Sequence, residues 1–316
     1  MWLDGLLKTL QDQTYRPRKV ILVDDHSALP LQESLAGSRF DINVLVHLAK
    51  GRGLSNARNE GIDLCGTKYI AFIDVDDRWD REKLKMQVNF LESNSEIDAV
   101  FTNASTVDME GTILRNHVSA VNEVYTEGLV LEQTPIIGSA SSIMIRRESV
   151  SRTGYFDTKL NYAEDLDYWI RISKIGRIMS IPDILTFITA NPESMQRGIS
   201  PFEKYSKEIV AKLEIFEKHP DSTTQAIENL SRTLLYGITE KTITLSCKYK
   251  LFNIILNSKI LKGRENRLKF IFHFGKSFAK VILRRMRRYL ILVFLVPAHF
   301  IKKSAVTFLF IVKIKK

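Results

Sequence analysis

Residues 69–79 read Tyr69-Ile70-Ala71-Phe72-Ile73-Asp74-Val75-Asp76-Asp77-Arg78-Trp79, so an unbroken apolar run gives way at once to three acids in four positions. A short apolar run that stops at turn-forming residues reads as a strand buried on both faces. Just past such a strand, alternate residues aim two carboxylates at one point. Oxygen ligands suit a hard cation such as Mg²⁺ or Mn²⁺, which takes a few carboxylates together with substrate phosphates. A D-x-D-D turn also serves to cap the next helix, so its surroundings must decide between the two uses.

Upstream, Leu3, Leu6, Leu7 and Leu10 recur at helical spacing. Lys19–Val23 is a β-branched run that ends in Asp24 and Asp25, and Ile42–Leu48 is a further strand. The loop Lys50–Leu54 then leads to a helix from Ser55, whose hydroxyl is placed to cap it. Downstream, Asp80 stands before a helix with Leu84, Val88 and Leu91 on one face. Strands are expected at Ala99–Thr102 and Ile137–Ile145, and a helix over Glu164–Ser173 with Leu166, Trp169 and Ile170 facing inward. This alternation predicts an α/β fold with a mostly parallel sheet flanked by helices. Two strands end in acids, and open α/β sheets bind ligands beyond the carboxyl ends of their strands. From about Pro201 the pattern turns helical and lysine-rich, which divides the chain into residues 1–200 and a helical, basic region over 201–316.

The combination of motifs is more specific than any one of them. Gln13-Thr14-Tyr15 precedes Val20-Ile21-Leu22-Val23-Asp24-Asp25-His26-Ser27; Gly53-Leu54-Ser55-Asn56-Ala57-Arg58-Asn59-Glu60-Gly61 follows; then come residues 69–79, Lys83-Leu84 and Glu164-Asp165. In that order they resemble the family 2 glycosyltransferases of GT-A fold over roughly residues 1–190. The resemblance implies a nucleotide-sugar donor, taken to be a UDP-sugar, and a glycan or lipid-linked acceptor in cell-surface polysaccharide synthesis. It implies that Asp25 meets the nucleotide base, with Asp24 left to build the turn. Arg58 is implied at the donor phosphates, with Asn56 a positioning group. Asp76 and Asp77 resemble the family's metal and ribose ligands for Mg²⁺ or Mn²⁺, supported by Asp74. Glu164 and Asp165 resemble its catalytic acidic pair, with Asp165 as the base that takes the acceptor's proton. One displacement with one base inverts the anomeric carbon. The alternative is a catalytically inactive relative that binds nucleotide sugar or protein partners.

Family members usually open with a strand of the form V-S-V-I-I-P-x-Y-N ahead of the helix that starts near Trp2. No counterpart stands in residues 1–316. The resemblance therefore implies a start upstream of Met1, or a degenerate copy, and weak nucleotide binding by the chain as it stands.

Composition narrows the remaining classes. Cys65 and Cys247 are too far apart in sequence for a C-x-x-C pair, and the six histidines show no zinc-ligand spacing. The net charge of +10 is unevenly spread. Of 46 Lys and Arg and 36 Asp and Glu, 19 basic residues and one acid, Glu265, lie from Lys241 onward. The preceding 240 residues hold the other 27 basic and 35 acidic side chains, so an acidic body of −8 carries a basic tail of +18. Such a tail calls for a polyanionic partner. Arg284, Arg285, Arg287 and Arg288, then Lys302 and Lys303, flank the apolar run Tyr289–Ile301, and Ala305–Val312 ends in more lysines. A helix over the longer run rises about 20 Å, short of a bilayer's ~30 Å hydrocarbon core. Residues 280–316 are thus expected to lie on an anionic membrane surface, placing the protein in the cytoplasm, peripheral on the inner face of the cell membrane. No recognised nucleic-acid module accompanies the charge, and nucleic acid is not expected as a partner.

Overall fold

The computed structural model describes residues 2–35, 40–131, 136–191, 199–240 and 242–286. The chain runs through Trp2–Gln11 (α1), Val20–Asp24 (β1), Leu31–Ser34 (α2), Val44–Leu48 (β2), Leu54–Leu64 (α3), Tyr69–Ala71 (β3) and Arg78–Trp79 (β4). Lys83–Ser93 (α4), Ala99–Val107 (β5), Ile113–His117 (β6), Glu123–Val124 (β7), Thr126–Val130 (α5) and Ser139–Ser142 (α6) follow. Then come Ile143–Arg146 (β8), Arg147–Thr153 (α7), Glu164–Ile175 (α8) and Ile178–Thr189 (β9). Four helices close the described chain: Pro201–Lys218 (α9), Thr223–Thr239 (α10), Leu245–Leu256 (α11) and Arg264–Met286 (α12).

The α/β class holds, but the sheet is mixed rather than mostly parallel. Seven strands run in the order β3-β8-β5-β9-β4, with β6 added to β5 and β7 to β9. Within this sheet β5 and β9 pair parallel, whereas β8 runs against both β3 and β5. A parallel return needs a crossover of a dozen or more residues. The five residues between β5 and β6 allow only a hairpin. A separate parallel pair, β1 and β2, has Val20 opposite Val44 and Asp24 opposite Leu48.

Two apolar cores hold these layers. Leu6, Leu7 and Leu10 of α1 meet Val20 and Leu22 of β1, Leu84, Val88 and Leu91 of α4, and Val100 and Met144 of the large sheet. The other core begins with Ile70, Phe101 and Ile145 and continues through Tyr168 and Ile172 to Ile209, Leu230, Leu251 and Phe270. Residues on both sides of position 200 therefore share one core.

Three local expectations change. The first turn of α3 is capped by Gly53, at φ +93°, and not by Ser55, whose buried Oγ has no hydrogen-bond partner. The segment expected as one strand, Ile137–Ile145, breaks into α6 and then β8. Gly138 sits at φ +73°, a left-handed turn that ends any extended run, and the Ser-Ala-Ser-Ser sequence after it lacks branched side chains to favour a strand. Asp80, expected to cap α4, does not: Glu82 holds the N-cap position, and Asp80 Oδ1 instead accepts the Glu82 amide at 2.8 Å in the turn before the helix.

Candidate active site

The acidic turn after β3 is held from two sides. The Asp74 amide donates to Ser141 Oγ at 3.0 Å, and the Trp79 indole donates to the Ser141 carbonyl at 2.7 Å. From the end of β9, the Thr189 amide donates to Asp77 Oδ1 at 3.2 Å, and the Thr189 hydroxyl binds the Asp76 carbonyl. Just beyond, Asn191 Nδ2 donates to Asp76 Oδ2 at 2.9 Å. Asp77 is buried at 4% exposure, and that burial raises its pKa to about 7 against hydrogen bonds from Ser141 and Thr189. Beneath the turn, the buried Lys83 ammonium lies 4.0 Å from the centre of the Trp79 ring and donates to Gln87 Oε1 at 2.7 Å. Its burial drives the ammonium well below its ordinary pKa.

Arg58, one turn into α3, ties this turn to α8. Its guanidinium lies 2.6 Å from Glu164 and 3.8 Å from Asp74, over the Phe156 ring. Glu164 and Asp165 open α8, where the helix dipole favours negative charge. Burial raises the pKa of Glu164, the neighbouring Asp165 adds to that, and Arg58 opposes it. Asp74 is also raised, first by burial; Asp76 and Asp165 push it further up, while Arg58 pulls it down. Asp165 therefore stands close enough to the turn for its charge to be felt there. Segments about 100 residues apart in sequence meet around one arginine.

Asp25 occupies an adjoining ledge. Its carboxylate accepts the Gly53 amide at 3.1 and 2.9 Å, and Gly53 opens the helix that carries Arg58. Asp24 builds the turn, accepting from Ser27 and Leu31 amides at 2.8 and 3.1 Å. Glu60 fastens the loop before α3 by accepting from the amides of Lys50 and Gly51 and by its 2.7 Å contact with His47, which bring it down to about 2. Asn56 donates to the Arg52 carbonyl at 2.6 Å, and Asn59 brackets the backbone of Phe156.

Ser141 and Asn191 fall in Gly138–Ser142 and Asn191–Ser200, the loops expected to build the acceptor pocket, but their part in holding the acidic turn, like that of Thr189, was not legible. Each acts through a contact far away in sequence, and the one local cue was the glycine before a run of small residues at 138–142.

Residues 2–154 match the model of the glycosyl transferase family 2. The amylovoran biosynthesis glycosyltransferase AmsB of Erwinia amylovora is 31% identical over 183 residues, covering 54% of this chain and 59% of AmsB. An uncharacterized glycosyltransferase of Rickettsia bellii is 26% identical over 216 residues, covering 65% of this chain and 30% of that one. The chain thus spans less than two thirds of the length of these relatives. Among solved structures, S. aureus TarS 1-349 in complex with UDP-GlcNAc superposes with a TM-score of 0.63 at 17% identity, covering 89% of this chain and 88% of TarS 1-349. The mannosyltransferase PcManGT from Pyrobaculum calidifontis, in complex with GDP-Man and Mn²⁺, gives 0.51 at 15%, covering 92% and 84%. The fold is therefore GT-A, and the motifs stand in the order of glycosyl transferase family 2, whose model matches residues 2–154, just under half of the chain.

Proposed function

We propose that the chain transfers a sugar, with inversion, from a nucleoside-diphosphate donor to a hydroxyl of a glycan or lipid-linked acceptor in surface polysaccharide synthesis. The observation that carries this is Arg58 joining Glu164 of α8 to Asp74 of the acidic turn, with Asp76 and Asp165 near enough to act on the Asp74 carboxyl. AmsB is named for such a synthesis, and the TarS structure holds a UDP-sugar, which favours a uridine donor here. Asp25 beside the opening of α3 suits the base, and the first amides of that helix with Arg58 suit the diphosphate.

Among the described residues, no group of three His, Cys, Asp or Glu side chains converges as a ready cage for a metal. The chemistry of the turn fits a Mg²⁺ or Mn²⁺ ion shared with donor phosphates instead. Asp76, with Asp74 beside it, would face the ion; Asp77, buried on Thr189 and Ser141, would hold the turn in place. When bound, the ion offsets charge developing on the leaving diphosphate. Asp165 takes the proton of the attacking hydroxyl, and Glu164, fixed by Arg58, orients the start of α8.

No described helix is long and apolar enough to cross a membrane. We place residues 280–316 on an anionic membrane surface at the cytoplasmic face; residues 287–316 of that segment lie outside the described residues. The test is Mn²⁺-dependent release of nucleoside diphosphate in the presence of acceptor glycan. Asp76→Asn should abolish it, and Asp165→Asn should lower kcat by about 10²–10⁴-fold with little change in donor KM. Undiminished turnover in either variant removes the proposed roles.

A further inference from the structure

We propose that the outward face of α12, centred on Leu268, Ile271 and Phe272, seats on an anionic lipid surface. This inference deepens the membrane reading just given and rests on it, but it moves the contact onto the folded part of the chain.

The orientation of α12 is fixed by its other side. Phe270 is 1% exposed and stacks with Phe274 at 6.1 Å, and both rings meet Phe252 of α11. His273 lies 3.7 Å from Glu228 of α10, and Ser231 of the same helix reaches the Phe270 carbonyl. With that side committed, Leu268, Ile271 and Phe272 point away from the protein at 53%, 44% and 65% exposure. Their i, i+3, i+4 spacing makes them neighbours on one stripe. A Cβ added at Gly275, the next position of that stripe, would meet nothing within 4 Å. In the sequence the same spacing continues through Ala279, Ile282 and Met286, with Lys276, Lys280, Arg284 and Arg285 interleaved.

Charge selects the occupant. Around the stripe Arg267 is exposed and Lys269 is balanced by Glu265 at 2.7 Å, the one acid among the 19 basic residues from Lys241 onward. Two copies joined through this face would bring two such segments together, at a repulsive cost. Nucleic acid would use the cations and leave three large apolar side chains in water. A bilayer with anionic headgroups satisfies both at once: apolar groups enter the headgroup boundary while the long basic side chains reach the phosphates.

The test is sedimentation of the full chain with vesicles of phosphatidylglycerol and phosphatidylcholine, and with phosphatidylcholine vesicles alone. The full chain should partition to the anionic vesicles, less so as salt rises. Joint substitution Leu268→Ser, Ile271→Ser and Phe272→Ser should weaken that partition by about tenfold or more, with unchanged thermal melting because all three are exposed. Asp76→Asn should bind vesicles like the unmodified chain, which separates this inference from the catalytic one. Equal partition of the triple variant, with loss only when Arg284, Arg285, Arg287 and Arg288 become Ser, would overturn the α12 face and leave the tail reading standing. Absence of vesicle binding by the full chain would overturn both, as would a dimer dissolved by the triple substitution without any vesicle binding.

Discussion

At Asp77 a carboxyl that ordinarily titrates near 3.8 is raised to about 7 by burial. A raised acid binds its proton more tightly when folded, so this group's contribution to stability is intact at low pH. It is lost as pH climbs from about 4 toward 7, leaving a buried anion above that. Asp77→Asn keeps an acceptor for the Thr189 amide and removes the titration. In chelator, its melting temperature should exceed that of the unmodified protein by on the order of 5 °C above pH 7, the difference closing toward pH 4. Equal melting curves across that range would remove the buried-acid account. Ser141 is the second residue on which the turn depends, since it meets Asp74, Asp77 and Trp79. Ser141→Ala leaves the Asp74 amide without its partner. Metal or donor affinity should weaken by about 10–100-fold, as for other outer contacts of metal ligands, measured by titration at fixed pH. Asp77 stood out in the sequence because it lies inside a motif. Ser141 was legible only as part of the loop Gly138–Ser142, because a serine reports its partners only once the fold has brought β3 and α6 together.

Among the elements, the periodic ones and the acidic turns were legible, and the break at Gly138 was not. Leu6, Leu7 and Leu10 of α1 and the Leu84, Val88, Leu91 face of α4 are buried as their spacing requires, with Leu3 partly buried at the edge. The run Ile137–Ile145 misled because its apolar ends hide the left-handed Gly138 between them. That glycine sets the start of α6 and so the place of Ser141. A Cβ there would stand 3.1 Å from Cβ atoms of Ala104 and Ser142, on a backbone that disfavours side chains. Gly138→Ala should cost about 1–2 kcal/mol of stability and reduce activity beyond what the stability loss explains, read by denaturant unfolding and turnover on one preparation. A neutral substitution would mean that α6 does not depend on this turn. The mixed sheet was hidden for a related reason. Alternating patterns identify strands and helices, but direction is set by how far each connection reaches.

Across the whole molecule, motif order pointed to the family, and the sequence divides by charge into an acidic body and a basic tail. An acidic body gathers its carboxylates at the ends of β3 and α8, where Arg58 is the cation already in place. The described helices α9 to α12 share the body's core, so whatever they bind is held at a fixed orientation to the acidic turn. What no pattern in the chain encodes is the acceptor: residues 192–198, within the loop Asn191–Ser200 expected to meet it, lie outside the described residues. The proposed transfer requires that Asp76 and its neighbours hold a divalent ion together with a sugar diphosphate. Titrating Mn²⁺ into the protein with and without UDP, followed by the ion's paramagnetic resonance, measures this directly. The ion should bind more tightly when UDP is present, and Asp76→Asn should lose that enhancement; equal Mn²⁺ binding by the variant, with or without UDP, would contradict it.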